Sequence, residues 1–332
     1  MDSRRASLTA MDLPAIDART CIVRNTAAKK GRTRAVSPAT TAARYLHYGR
    51  IILGASDPAE RVDPGDHETG LVCLKGSATV TIAPSAHQRG TAGLQTGGST
   101  SGLQGGTAGL QTGGNTSGLQ GGTAGLQTGG STYTLVPYDA LYVPRDTAFD
   151  VVPGAAGCDL AELSAPVAGR YPVQFVAFDD VKRDPGLHFR TGGPACERDV
   201  NLLLAKNVEA GRILAGVTFS APGNWTSWPP HEHAALLEEA YLYIDMPAPA
   251  FGVQLVYANA GEPELATIVR EGDVVLMPQG YHPNVAAPGG RIGFLWMMAA
   301  NREVEDRQFG VVNVQPDFAA IGSGLDRGRT GR

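Results

Sequence analysis

Short runs of β-branched and aromatic residues, each closed by glycine, proline or a polar turn, recur along most of the chain. In the first half they fall at 50–53, 70–76, 77–82, 133–136, 139–145, 149–152 and 158–163. In the second half they fall at 201–204, 213–220, 239–244, 252–257, 265–270, 273–277 and 291–299. Runs of this length and spacing predict β-strands joined by tight turns. No amphipathic helix of any length interrupts the second half. The expected fold is all-β: two similar small barrels of the jelly-roll kind in tandem. Residues 166–198 read as a polar connector with one strand candidate at 174–178. The expected boundaries are 44–168 for the first barrel and 169–320 for the second, with a tail at 321–332.

Two stretches break the pattern. Residues 1–40 are rich in Arg, Lys, Ser, Thr and Ala, contain three aspartates and show no apolar period. They predict a disordered leader reaching to residue 43. The aspartates argue against a transit peptide, and no apolar segment suggests a secretory signal. Residues 91–132 hold a sixteen-residue unit, TAGLQTGGSTSGLQGG, repeated once with Ser99 replaced by Asn115 and followed by ten residues of a third copy. Each full copy offers two leucines to bury, and stacked repeats need three or more units. The repeat therefore reads as a flexible Gly-rich insertion in the first barrel, since loop length adds little closure entropy.

Composition narrows the function classes. The 332 residues carry a formal net charge of −4, which favours neither nucleic acid nor an anionic membrane as partner. No run approaches the ~20 apolar residues of a membrane span. Cys21, Cys73, Cys158 and Cys196 form no Cys-x-x-Cys pair and are too few for a disulfide framework. Free thiols in a reducing cytoplasm are expected.

The chemistry concentrates in the second half. His231-Glu-His233 follows Trp-Pro-Pro, and Glu238-Glu239 opens an aromatic strand. His282 ends Gly-Asp-Val-Val-Leu-Met-Pro-Gln-Gly-Tyr-His. Side chains alternate across a strand, so His231 and His233 face the same way. A carboxylate from the next strand and an imidazole from a later one would complete a three-nitrogen, one-oxygen site. That donor set suits Zn²⁺, Mn²⁺ or Fe²⁺ with an open position.

This arrangement resembles the cupin superfamily, with its His-x-His and later Glu, then Pro-x-Gly and a later His. The resemblance implies His231, His233, Glu239 and His282 as metal ligands at a barrel mouth. Glu238 is the alternative to Glu239, because only one of two neighbours can face inward. The first barrel has no matching set. His47, His67, His87 and His188 are expected to do ordinary hydrogen-bonding work.

Pro222-Gly-Asn-Trp-Thr-Ser-Trp-Pro-Pro-His-Glu-His233, Leu237-Glu-Glu-Ala-Tyr241, Phe251-Gly-Val-Gln-Leu-Val-Tyr257, Gly280-Tyr-His-Pro283 and Phe294-Leu-Trp-Met-Met298 together look like the 5-deoxyglucuronate isomerases of myo-inositol breakdown. That family is grouped with the 5-keto-4-deoxyuronate isomerases of pectin breakdown. The similarity spans about residues 44–317 without the repeat and is strongest over 211–300. Two departures stand out: the repeat itself, and the stretch 301–314, which leans toward the pectin-side enzymes.

The resemblance implies a metal-dependent aldose–ketose isomerase acting on a uronate-type sugar acid, 5-deoxyglucuronate before 5-keto-4-deoxyuronate. The hard step is removing a proton beside a carbonyl, where a divalent ion stabilises the charge that develops. Glu238, Tyr241, Tyr257 and Tyr281 are the candidates for acid–base work. A uronate carboxylate calls for a guanidinium fork, for which Arg198 comes first and Arg190 second. Gln254 and Tyr257 are expected to meet sugar hydroxyls. A cytoplasmic homo-oligomer with a small-molecule substrate is expected. Two other classes use similar residues: an iron-dependent dioxygenase and a non-catalytic sugar-binding cupin.

Overall fold

The computed structural model describes residues 13–83, 130–259 and 261–329. Outside them lie nearly all of the repeat, His87, the first twelve residues of the expected leader and the last three of the tail.

The chain opens with a turn of helix, α1 (Ala18–Cys21), and β1 (Ile22–Val23). There follow β2 (Gly31–Val36), β3 (His47–Leu53), β4 (Glu60–Val62), β5 (His67–Ile82), β6 (Thr132–Leu135), β7 (Ala140–Val143), β8 (Phe149–Pro166) and β9 (Gln174–Val176). Residues 13–43 are therefore not an unstructured leader. Cys21 and Val36 are fully buried, Ile22 and Val23 pair with Val275 and Val274, and β2 pairs with β3. These few apolar residues were too sparse to form a pattern, but each meets a partner far along the chain.

The expected strands at 70–76 and 77–82 are one strand, β5, and those at 149–152 and 158–163 are one strand, β8. Register shifts between Cys73 and Lys75 and between Gly76 and Ala78 bend the pair without ending it, as β-bulges do.

After α2 (Phe178–Arg183) come β10 (His188–Thr191), β11 (Arg198–Leu204), β12 (Ile213–Ser220), β13 (Trp225–Thr226), β14 (His231–Glu232), β15 (Leu237–Tyr243) and β16 (Gly252–Val256). They are followed by β17 (Leu265–Val269), β18 (Val274–Met277), β19 (Asn284–Ala286), β20 (Gly293–Ala300) and β21 (Asn313–Val314). All pairings are antiparallel. The first half makes one sheet in the order β2-β3-β8-β5-β7-β9. The main sheet of the second half runs β11-β12-β20-β15-β18-β1 from one side, with β10 beyond β11. The two orders correspond strand for strand. A smaller sheet, β13-β19-β16-β17, completes the second half.

Why the strands of the first half read as unbroken apolar runs is visible in β5 and β7. Leu71, Cys73, Leu141 and Val143 fill that half's own interior. Their neighbours Val72, Leu74, Ala140 and Tyr142 point the opposite way, into a core that also contains Leu202, Leu204, Ile213 and Leu214. A sheet buried on both faces loses its polar alternation.

Two buried carboxylates clasp the halves reciprocally. Glu68, second residue of β5, accepts backbone N–H bonds from Gly211 (2.8 Å), Arg212 (2.6 Å) and Ile213 (2.8 Å), at the entry to β12. Glu238, second residue of β15, accepts from Arg44 (2.7 Å), Tyr45 (2.7 Å) and Leu46, at the entry to β3. Each clasp sits at the corresponding place in its half.

Candidate metal centre

β14 carries His231 and leads directly to His233, β15 carries Glu239, and the turn before β19 carries His282. His233, Glu239 and His282 are buried, and their donor atoms all lie within 4.8 Å of one another. His233 Nε2 is 2.9 Å and His282 Nε2 3.1 Å from Glu239 Oε2. The His231 ring stands beside them, its centroid 5.0 Å from that of His282 and 6.4 Å from that of His233.

Backbone carbonyls set each ring. Nδ1 of His231 faces Pro229 O at 2.9 Å, that of His233 faces Leu237 O at 3.1 Å, and that of His282 faces Gly280 O at 3.0 Å. An Nδ1–H donated to a carbonyl leaves Nε2 as the lone-pair nitrogen, the usual second sphere of a metal-binding histidine. Gly280 makes the last of these contacts possible. Its φ is +84°, and a Cβ there would lie 2.6 Å from Tyr257 O. The glycine of the Pro-x-Gly-x-His motif thus has a backbone reason.

The donors fit a cation. His282 Nε2 is buried and makes no hydrogen bond of adequate geometry. His233 and His282 each face an oxygen acceptor on both ring nitrogens, which one ring proton cannot satisfy. Burial alone would raise the Glu239 carboxyl, but the charges and hydrogen bonds of His233 and His282 together outweigh it and hold the group down to about 2. For His233, burial pulls downward and Glu239 outweighs it, so the imidazole is raised. Burial, then His282, pushes His231 down to about 3. A cation among these donors would take the place of the shared proton.

Beside the trio lies a cavity of about 40 Å³ whose wall includes Glu239, His231, Tyr241, Ser227, Thr218 and Arg198. Tyr241 stacks on Phe294 at 4.2 Å and its hydroxyl is 2.8 Å from Ser227 Oγ. Burial, followed by the Glu239 charge, drives the phenol well above its ordinary range, so it is a hydrogen-bond donor at neutral pH and not a base. Ser227 presents its hydroxyl from a left-handed backbone, φ 50°. Arg198 is buried, and its guanidinium meets only two carbonyls, Cys196 O at 3.3 Å and Ser323 O at 3.4 Å. No carboxylate among the described residues lies within ion-pair distance of it. Burial depresses its pKa.

Other expected site residues fall elsewhere. Glu238 faces away from the donors and is committed to the clasp on residues 44–46, which sets it against both the ligand and the base role. Arg190 is exposed and pairs with Glu197 at 3.5 Å on the surface. Gln254 is fully buried behind the site, where its amide donates to His282 O (2.9 Å) and Pro283 O (3.2 Å) while its oxygen accepts from Tyr243 and Asn284. It holds the His282 turn and is not part of the wall of that cavity. Tyr257 bonds Gln315 at 2.8 Å, and Tyr281 is half-buried on the turn, its ring 5.7 Å from that of Tyr257. Sequence reasoning did not single out Ser227 or the segment around Ser323, although Ser227 stands within the quoted Trp-Thr-Ser-Trp run.

Among the described residues the first half lacks the set. By the strand correspondence Thr69 takes the place of Glu239: it opposes Val143 and Ser164 as Glu239 opposes Met277 and Met298. His47 and His67 pack edge to face at 4.7 Å, and His188 bonds Asp199 at 2.6 Å.

Fold and site together define a cupin-type β-barrel protein with a buried His/Glu/His group able to hold a metal ion. The profile of the KduI/IolB family matches residues 113–318, and the chain belongs to that family. Among curated relatives, the 5-deoxy-glucuronate isomerase of Geobacillus kaustophilus is 34% identical over 171 residues, covering 49% of this chain and 60% of that enzyme. That of Bacillus subtilis is 29% identical, covering 46% and 57%. The chain thus spans about 60% of the length of these relatives. Among solved structures, an IolB-like protein from Salmonella typhimurium superposes with a TM-score of 0.67 at 21% identity, covering 91% of this chain and 98% of that one. Oxalate decarboxylase of Bacillus subtilis gives 0.55 at 12% identity, covering 86% and 79%.

Proposed function

We propose that this chain is a metal-dependent aldose–ketose isomerase acting on a uronate-type sugar acid, with 5-deoxyglucuronate as the first substrate to test. The observation that carries the reading is a donor trio within 4.8 Å beside a cavity that also holds a buried guanidinium without an acid partner. The names of the family relatives point the same way.

His231, His233, Glu239 and His282 would hold the divalent ion, with Zn²⁺ or Mn²⁺ matching three imidazoles and one carboxylate. When bound, it supplies Lewis-acid stabilisation for negative charge developing on the sugar oxygens. Everything else falls to the side chains. Arg198 takes the substrate carboxylate, since a desolvated guanidinium forms its strongest contacts with a planar anion. Tyr241, kept protonated by burial and the Glu239 charge and oriented by Ser227, donates to a sugar oxygen and adds fixed positive potential where charge appears. The aromatic wall of Phe294 and Trp296 excludes water from the same face.

The test is direct. Purified chain is incubated anaerobically with 5-deoxyglucuronate and, separately, with 5-keto-4-deoxyuronate, and the carbonyl signals are followed by NMR. Loss of the aldehyde signal with growth of a ketone in the first tube supports the reading. Turnover in the second tube alone would move the substrate to the pectin-side acid. No conversion of either, with metal bound, overturns the isomerase assignment.

A further inference from the structure

The cavity beside the donor trio is too small for its proposed occupant. About 40 Å³ holds a few water molecules. A six-carbon sugar acid therefore enters only if part of the wall moves. Most of that wall belongs to β-strands with paired edges. The exceptions are Ser227, in the turn between β13 and β14, and the chain after β20.

That chain returns as β21, pairing Val314 with His231 and Asn313 with Glu232, so it lies along the strand that carries the His-x-His. Gln315 is fixed twice, its N–H to Pro230 O at 2.9 Å and its side-chain oxygen by Tyr257. Phe318 then packs on Trp228 at 4.9 Å. From there to Leu325 the chain is largely exposed, with Ile321 at 59%. It dips back at Ser323, whose carbonyl accepts from Arg198, and at Leu325, whose side chain lines the cavity. The anchor is firm at 313–315 and light from 316 to 324; at the far end Leu325 packs into the core and Arg327 O accepts from Lys206 Nζ at 3.0 Å. The Arg198–Ser323 contact, at 3.4 Å, is near the outer limit of a hydrogen bond. A carboxylate on the same guanidinium would bring a second charge and could bind through two shorter, parallel N–H···O bonds.

We infer that residues 316–328 form a strap that closes the candidate site and is lifted for substrate entry. The substrate carboxylate takes the position on Arg198 that the Ser323 carbonyl occupies in the closed form. The strap thus opposes a neutral sugar, which brings nothing to replace Ser323, and yields to a sugar acid. This inference rests on the sugar-acid reading above.

A reversible cross-link tests it without relying on turnover. A Cβ built on Gly324 lies 3.8 Å from Thr191 Cβ, within the range a disulfide spans. Thr191→Cys with Gly324→Cys, in a Cys196→Ser background, would lock the strap when oxidised and free it when reduced. Phenylglyoxal, which labels accessible guanidinium groups, reports on Arg198 by peptide mass, with exposed Arg183 as internal standard. The expected result is labelling of Arg198 at least about ten-fold slower in the oxidised protein, restored by dithiothreitol. Phe318→Ala, which loosens the strap without the engineered pair, should label faster than the unaltered chain. Equal rates in oxidised and reduced protein overturn the strap. Glucuronate should protect Arg198 in the reduced protein. A locked-versus-free difference without that protection keeps the strap and removes the sugar-acid reading.

Discussion

Arg198 and Gln254 show how differently two buried polar groups serve one site. The guanidinium of Arg198 has only distant carbonyls for company, and burying an unpaired cation is costly. An anionic substrate is the partner this arrangement lacks. Arg198→Ala should therefore lower kcat/KM for a sugar acid by about 10–100-fold, mostly through KM, and Arg198→Lys should recover only part of it. Steady-state kinetics on the active substrate checks this. Gln254 does the opposite work: its amide donates to His282 O and Pro283 O, on the turn that aims His282, and to Leu255 O, while its oxygen accepts from Tyr243 and Asn284. Gln254→Leu removes the donor to three carbonyls and should weaken metal affinity by about 10–100-fold with the four candidate ligands intact, read by competition with a chelator. The candidate histidines were legible because strand alternation and a glycine turn are local rules. Alternation also says that only one of Glu238 and Glu239 faces inward, but the choice of Glu239 came from the cupin resemblance and not from the rule. What Glu238, Gln254 and Arg190 do instead depends on partners up to about two hundred residues away, which no local pattern records.

At the scale of elements, the reciprocal clasps decide how the two halves meet. Each carboxylate accepts three successive backbone N–H groups at the start of the other half's strand, and Tyr142 adds a hydroxyl to Glu68 at 2.7 Å. Replacing one oxygen by an amide NH₂ turns an acceptor against a donor. Glu68→Gln and Glu238→Gln should each destabilise the chain by about 1–3 kcal/mol, seen as a lower Tm, while metal content is retained. The all-β character and the position of most long strands were readable from run length and turn residues. The joining of runs into β5 and β8 was not, because bulges bend a strand where glycine suggests an end. Nor was the structure of residues 13–43, whose few apolar groups gain order only by docking on sheets formed by distant sequence.

For the whole molecule, the repeat and the metal carry the remaining predictions. The chain leaves β5 and rejoins at β6 side by side: Thr81 opposes Thr132, and Ile82 N–H bonds Ser131 O at 2.8 Å. A short hairpin turn can bridge that gap. A chain with residues 84–129 replaced by Asn-Gly should keep its Tm within a few degrees and its turnover, measured by calorimetry and the isomerase assay. The account as a whole rests on one ion held by His231, His233, Glu239 and His282. Elemental analysis of the full chain after dialysis, beside His233→Ala and His282→Ala, addresses it most directly. The expected result is close to one divalent transition metal per chain, lost in both variants with the fold retained by circular dichroism. A clean, folded chain that holds no tightly bound metal after loading with Zn²⁺ or Mn²⁺, or variants that hold it as firmly as the parent, would contradict it.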